Sequence, residues 1–265
     1  MGDFQNRYGP WALVTGAGNG LGAEFARQLA QQGLNVVLVD LDAAGLDTIA
    51  AELQVCTGVE TRTVQLDLAH AAFMTQLVPV IQGLDIGLVI NNAGISDLGL
   101  FTERPLQTQL SVVDVNVRAP LVLAHHFAPH LMQRGKGGLL FVSSLSALQG
   151  TAYVANYAAT KSWNLIFAEG LWEELRGSGV DVLGYLVGST RTPGFVNSRP
   201  QLERAPLVNL MEMPAVVQGA LASLGKGPTA VAGRGNGMAA SLLCRLLPRK
   251  WAVRLVSATT RKLYG

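Results

Sequence analysis

Tyr157 and Lys161 stand four positions apart in the stretch NYAATKSWN (156–164). If that stretch is helical, one turn sets the two side chains beside each other, about 5–6 Å between Cβ atoms. A phenol ordinarily ionises near pH 10 and a lysine near 10.4, and an adjacent ammonium favours the phenolate. The spacing therefore suits a proton donor tuned by its neighbour. Y-x-x-x-K also arises by chance in many helices, so the pair needs support from the rest of the chain.

A second cluster is TGAGNGLG (15–22), with glycines at Gly16, Gly18, Gly20 and Gly22 and with Asn19 and Leu21 between them. Where such a segment joins a strand to a helix, its backbone amides can approach a pyrophosphate and the helix N-terminus adds unpaired N–H donors. The spacing is G-x-x-x-G-x-G rather than the commoner G-x-G-x-x-G dinucleotide fingerprint. Asp40 closes the run NVVLVD (35–40), where a carboxylate can accept from both ribose hydroxyls and would repel a 2′-phosphate. Neither Asn19 nor Leu41 is basic. NAD is therefore expected, with NADP the weaker candidate. The competing role for Asp40, capping the next helix, has a rival in Asp42.

These groups need a scaffold to hold them. Strands are expected at 11–16, 35–40, 61–67, 86–94, 137–144 and 180–188, with a short one near 229–232. Helical patterns lie between them at 21–33, 43–54, 71–82, roughly 105–134, roughly 153–177 and 214–224. Continuously apolar strands alternating with helices indicate a parallel sheet covered on both faces. The rhythm breaks at 189–213, a proline-containing irregular segment. No linker or repeat divides the chain, so one domain over 1–240 is expected, followed by an extension at 241–265.

Composition narrows the class. With 265 residues, 49% of them hydrophobic, the chain can build one sizeable core. No uncharged apolar run reaches the length of a membrane span. The N-terminus shows no charged-then-apolar leader, and Asn6 stands where a myristoylation motif on Gly2 wants Ser or Thr. Cys56 and Cys244 are far apart with no metal-ligand neighbours, which suggests reduced thiols and a cytoplasmic protein. His125, His126 and His130 lack a carboxylate at metal spacing, so no metal is expected. The net charge of +2 hides an asymmetry, because residues 213–265 hold eight Lys/Arg and no Asp or Glu.

Taken together, TGAGNGLG, Asp67 after the third strand, NNAG (91–94), Asn116 in DVNV, Ser144 in FVSS, and Tyr157 with Lys161 resemble the short-chain dehydrogenase/reductase family from about residue 10 to 232. The thirteen-residue interval from Ser144 to Tyr157 is the family's usual one. The resemblance implies a Rossmann-type α/β fold, a doubly wound parallel sheet of about seven strands with helices on both faces. It implies hydride transfer between a carbinol carbon and a nicotinamide, with Tyr157 carrying the proton. Lys161 would lower the Tyr157 pKa and hold the nicotinamide ribose, Ser144 would bond the substrate oxygen, and Asn116 would hold a water linking Lys161 to solvent. It further implies that Asp67 and Leu68 border the adenine and that Asn91, Asn92, Ala93 and Gly94 line the cofactor. Gly188, Thr190 and Thr192 would meet the nicotinamide end, although Val187 replaces the family's proline.

For the substrate, Leu145, Leu148, Val154, Phe195 and Val196 suggest an apolar secondary alcohol or ketone, with Gln149 and Arg191 either orienting a polar end or lying on the surface. A 3-oxoacyl thioester reductase using NADPH and a non-catalytic NAD-binding sensor are the alternatives. The basic tail could be a peripheral lipid contact, an oligomer contact or lid over the pocket, or a dock for an acidic carrier or coenzyme A. Nucleic acid is not expected, since no aromatic-interleaved basic patch accompanies the charge. A homodimer or homotetramer is expected from family habit.

Overall fold

The computed structural model describes residues 2–205, 208–233, 235–237 and 247–265. Seven strands form one sheet: β1 (Trp11–Thr15), β2 (Asn35–Asp40), β3 (Thr61–Gln65), β4 (Ile86–Asn91), β5 (Gly137–Ser144), β6 (Val180–Val187) and β7 (Thr229–Val231). Their order is β3-β2-β1-β4-β5-β6-β7, and every adjacent pair is parallel. Successive strand residues serve opposite faces. Ala12, Val14, Val36 and Leu38 enter one core with α2 (Gly20–Gln31), α3 (Ala43–Thr57) and α9 (Met213–Ser223). Leu13, Val37 and Val39 enter the other, with α4 (Met74–Ile81), α6 (Ala119–Arg134) and α7 (Ala155–Glu174). Two buried faces explain why the inner strands read as apolar runs, while the edge strand β3 (TRTVQ) is largely exposed.

The strand order reverses between β1 and β4, which opens a crevice beyond their carboxyl ends. The expected strands at 61–67 and 86–94 both stop earlier here. Asp67 folds into a turn, its Oδ1 accepting from Ala69 N at 2.8 Å. After Asn91 the chain leaves the sheet, and Asn92 N donates to Thr15 Oγ1 at 3.1 Å. The turns His70 N to Asp67 O and Phe73 N to His70 O delay α4 to Met74, against an expected start at 71.

Three elements go beyond the sequence expectation. A short α1 (Gly2–Tyr8) closes the far end of the sheet, where Arg7 and Tyr8 both donate to the Asp181 carboxylate. The expected helix over 105–134 is α5 (Leu106–Val113), a π-helical turn at Asp114–Arg118, and then α6. The irregular segment at 189–213 contains α8 (Pro193–Asn197), capped when Thr192 Oγ1 accepts from Phe195 N at 3.1 Å. The helical piece expected before Pro248, including Cys244, lies outside the described residues apart from Leu247. Beyond Pro248, α10 (Arg249–Tyr264) packs on the body through Ala252, Ser257, Thr260 and Leu263. No described helix is long and apolar enough to cross a membrane.

Candidate active site

α7 lies against β5 and β6, and Lys161 is tied to β5 from both ends. Its Nζ donates to Val142 O at 2.9 Å, while its own carbonyl accepts from Ser143 Oγ at 2.7 Å. Ser143 is thus buried and engaged. Ser144, the last residue of β5, keeps a hydroxyl that accepts from Ser146 N at 3.2 Å and Ser146 Oγ at 3.0 Å. One helical turn sets Lys161 Nζ 5.8 Å from the centre of the Tyr157 ring. Gly94 completes the packing, because a Cβ there would meet Lys161 Nζ at 2.9 Å.

Burial pushes the Tyr157 phenol above its ordinary value, with neighbouring Ser144 acting to lower it and the nearby Tyr264 phenol adding to the rise. Lys161 is itself desolvated and lowered to about 8.

Asn116 is fully buried inside the π-helical turn, an irregularity often found at functional positions. Its Oδ1 accepts from Ile95 N at 2.9 Å, and its Nδ2 donates to Ile95 O at 2.9 Å and Thr160 Oγ1 at 3.0 Å. Its main-chain carbonyl accepts from Asn164 Nδ2 at 2.8 Å. The side chain therefore fastens the loop after β4 to α7. Asn164, buried and bonded to both Asn116 and Thr160, had no signal in the sequence beyond its place one turn after Thr160.

The crevice itself is made of backbone. A Cβ on Gly22 would lie 1.8 Å from Gly16 O, so α2 can start this close to the β1 turn only with glycine there. Gly16 and Gly20 take positive φ, 68° and 58°. Asn19 precedes α2 but makes no side-chain cap, which leaves first-turn N–H groups of α2 directed at the crevice. Asp40 braces the loop, Oδ2 accepting from Gly18 N at 2.8 Å and Oδ1 from Asp42 N at 3.0 Å. Asp42, not Asp40, caps α3 by accepting from Gly45 N. Asn92 Nδ2 donates to Thr15 O at 2.9 Å and Gly16 O at 3.3 Å, so its side chain supports the glycine turn. Asn91 is buried with both side-chain amide atoms unpartnered among the described residues. Across the crevice, Thr192 comes within 3.8 Å of a Cβ built on Gly20. Uncapped amides, Cβ-free walls and a carboxylate at the end of β2 fit a dinucleotide.

A family model described as short chain dehydrogenase matches residues 10–203. The chain belongs to that family. It is an oxidoreductase of hydroxyl and ketone groups with a fold that binds NAD(H) or NADP(H). It is 29% identical to a 7beta-hydroxysteroid dehydrogenase of Clostridium sardiniense over 88% of this chain and 89% of that one. It is 35% identical to a very-long-chain 3-oxoacyl-CoA reductase of Neurospora crassa over 75% of this chain and 64% of that one. A solved structure from a study of 7beta-hydroxysteroid dehydrogenase stereoselectivity superposes with a TM-score of 0.89 at 26% identity, covering 96% and 98% of the two chains.

In this short-chain dehydrogenase the remaining expected residues divide. Leu41 and Asp67 are exposed beside the crevice-forming strand ends, and Leu68 is buried in the core. Thr190 is buried, its hydroxyl bonded to Gly188 O at 3.1 Å, and a Cβ on Gly188 would strike Asn236 at 2.6 Å. Those two shape the loop that carries Thr192. Leu145 and Leu148 pack in a small cluster with Ala147 and Leu165, Val154 precedes α7, and Phe195 is half-buried in α8. Gln149 is buried with Oε1 unpartnered among the described residues, whereas Arg191 lies on the surface bonded to Glu212. Of that pair, only Gln149 lies inside.

Two outcomes follow. Gly22→Ala should cost about 3 kcal/mol or more and abolish the fluorescence enhancement of added NADH, read by urea midpoint and titration. Lys161 has a folded value below its ordinary one, so the unfolded chain binds more protons between about 8 and 10.5. Its contribution therefore raises stability as pH climbs through that window, by about 3 kcal/mol, and is lost as pH falls through 8. Lys161→Met should show a smaller rise than the native chain in paired urea melts at pH 7 and 10.5.

Proposed function

We propose that the protein is an NAD-dependent dehydrogenase interconverting a bulky apolar secondary alcohol and its ketone. The observation that carries the reading is Tyr157 beside Ser144 and one turn from Lys161, at the carboxyl end of β5 beside the glycine-walled crevice. A nicotinamide held beside the glycine-walled crevice, between Lys161 and Thr192, would supply the hydride acceptor for oxidation or the donor for reduction. Tyr157 takes the hydroxyl proton during oxidation and gives it back during reduction. Ser144 donates to the substrate oxygen and stabilises the charge that develops there. Lys161 faces the ribose end of the crevice, and its charge joins the cationic ring in drawing the phenol down from its raised value. Asn116 positions these groups by fixing the Ile95 loop against α7.

The choice of NAD rests on Asp40. Its carboxylate already accepts from two backbone amides, so it stays in place at the end of β2, where a 2′-phosphate would face it. The alcohol's bulk and largely apolar character are supported by the 7beta-hydroxysteroid dehydrogenases among the relatives and by the leucine and tyrosine side chains of a cleft that also carries Glu103 and Arg199. The 3-oxoacyl-CoA reductase relatives support a thioester reductase as the second reading. We also read 1–240 as the catalytic domain and 241–265 as an extension, of which α10 is docked on the body. Exposed Leu106, Leu110 and Val113 on α5 and Ile166 on α7 support a homo-oligomer. The exposed Trp251 and Leu255 on α10, with Arg254 stacked on Trp251 at 5.6 Å, support a peripheral lipid contact.

Tyr157→Phe should bind NADH as the native protein does yet lose at least about a thousandfold in kcat, followed as absorbance of reduced nicotinamide with a panel of secondary alcohols. Undiminished turnover would end the assignment of Tyr157. Asp40→Asn should raise the NADP-to-NAD ratio of kcat/KM by about tenfold or more, as a like-charge clash is removed. An unchanged ratio would return the cofactor to open choice.

A further inference from the structure

We propose that Tyr264, in the last turn of α10, is a substrate-positioning residue: it forms the outer wall of the site and makes the enzyme select bulky alcohols over small ones. The inference deepens the dehydrogenase reading and rests on it. α10 spans the two segments that flank Tyr157. On one side Arg249 Nη1 donates to Leu148 O at 2.6 Å and Ser257 Oγ accepts from Ala152 N at 3.0 Å. On the other, Leu263 O accepts from Gln201 N at 3.0 Å. Between them lies a cleft of about 300 Å³ whose walls set Leu98, Leu263, Tyr153 and Tyr264 beside the polar Glu103 and Arg199.

The two tyrosines hold their places by different means. Tyr153 takes φ 68°, a left-handed conformation that costs a non-glycine residue about 1–3 kcal/mol. It is held there because its carbonyl accepts from Gly99 N at 2.9 Å and its neighbour Ala152 bonds to Ser257. Tyr264 is held loosely. Leu263 is buried and anchors the turn, whereas Tyr264 stays half-exposed and its hydroxyl has one long contact, accepting from Ser198 Oγ at 3.5 Å. A side chain that contributes little to docking the helix, yet lines the cleft and lies near enough to Tyr157 to raise its pKa, is placed for a ligand rather than for packing. A flat apolar body between Tyr153 and Tyr264 would bring its hydroxyl toward Tyr157, while a small alcohol would touch neither ring.

The test compares a 7-hydroxysteroid with cyclohexanol in the full chain. Tyr264→Ala should raise KM and the calorimetric Kd for the steroid about tenfold, leave kcat within about twofold, and leave cyclohexanol and NADH binding unchanged. Tyr264→Phe should keep the steroid KM and move the Tyr157-dependent limb of the oxidation profile to lower pH, since one phenol no longer raises the other. Equal losses for both alcohols, or weakened NADH binding in Tyr264→Ala, would mark a structural role and overturn the inference. An unchanged steroid KM and Kd in that variant, or a native protein that neither binds nor oxidises the steroid, would overturn it too. Steroid binding that weakens in Tyr264→Ala without turnover in the native protein would sustain the wall and end the dehydrogenase reading instead.

Discussion

An ammonium buried without a carboxylate is the constraint around which this molecule is arranged. Lys161 is 4% exposed, and among the described residues its only hydrogen bond is to the Val142 carbonyl. A desolvated charge with one neutral acceptor is costly, and the drop of its pKa to about 8 records that cost. No carboxylate among the described residues offsets that cost. The surroundings instead fix its position. Ser143 holds its main chain, Gly94 leaves space for the ammonium, and Asn116 holds the loop bearing Gly94 against α7.

The same logic sorts polar side chains into those that build the crevice and those left to face it. Asn92, Asp42, Ser143, Thr190 and Asn164 spend their hydrogen bonds on backbone. Ser144 and Tyr157 keep theirs near one another at the end of β5, and Asp40 braces the glycine loop while remaining partly exposed. Family membership accounts for the general chemistry. Ser143 and Ser144 divide the work because successive strand residues face opposite sides, whereas Asp40 ends β2 and Asp42 begins the next helix as its N-cap.

Much of this was legible in the residues. Continuous apolar runs located the inner strands β1, β2, β4, β5 and β6 because a parallel sheet buries both their faces, whereas the edge strands β3 and β7 are partly exposed. The glycine spacing marked the β1–α2 turn because no Cβ fits at Gly22. Strand ends were overrun where a side chain diverts the backbone, as Asp67 and Asn92 do, since hydrogen bonds of that kind leave no periodic trace. The π-helical turn around Asn116 was equally silent: its sequence is ordinary helix, and the extra residue per turn is imposed by packing against Ile95 and Thr160. The water lost by Tyr157 and Lys161 was illegible as well. Spacing reports how near two groups lie, but not how much water each has lost.

The C-terminal segment shows where charge counting stops being informative. Its basic residues invited a lipid or carrier partner, yet the face of α10 that touches the protein is set by Ala252, Ser257, Thr260 and Leu263, a mixture too weakly apolar to stand out by hydropathy. Hydrogen bonds to Leu148, Ala152 and Gln201 supply the specificity of docking that apolar area alone would not. Once docked, the helix leaves Trp251 and Leu255 on its outer side and Tyr264 beside the cleft. Both features therefore follow from one packing choice. A segment that packs on the body with its inner face must present its remaining apolar groups outward, so any partner recruited by those groups would be held beside the cleft that Tyr264 lines.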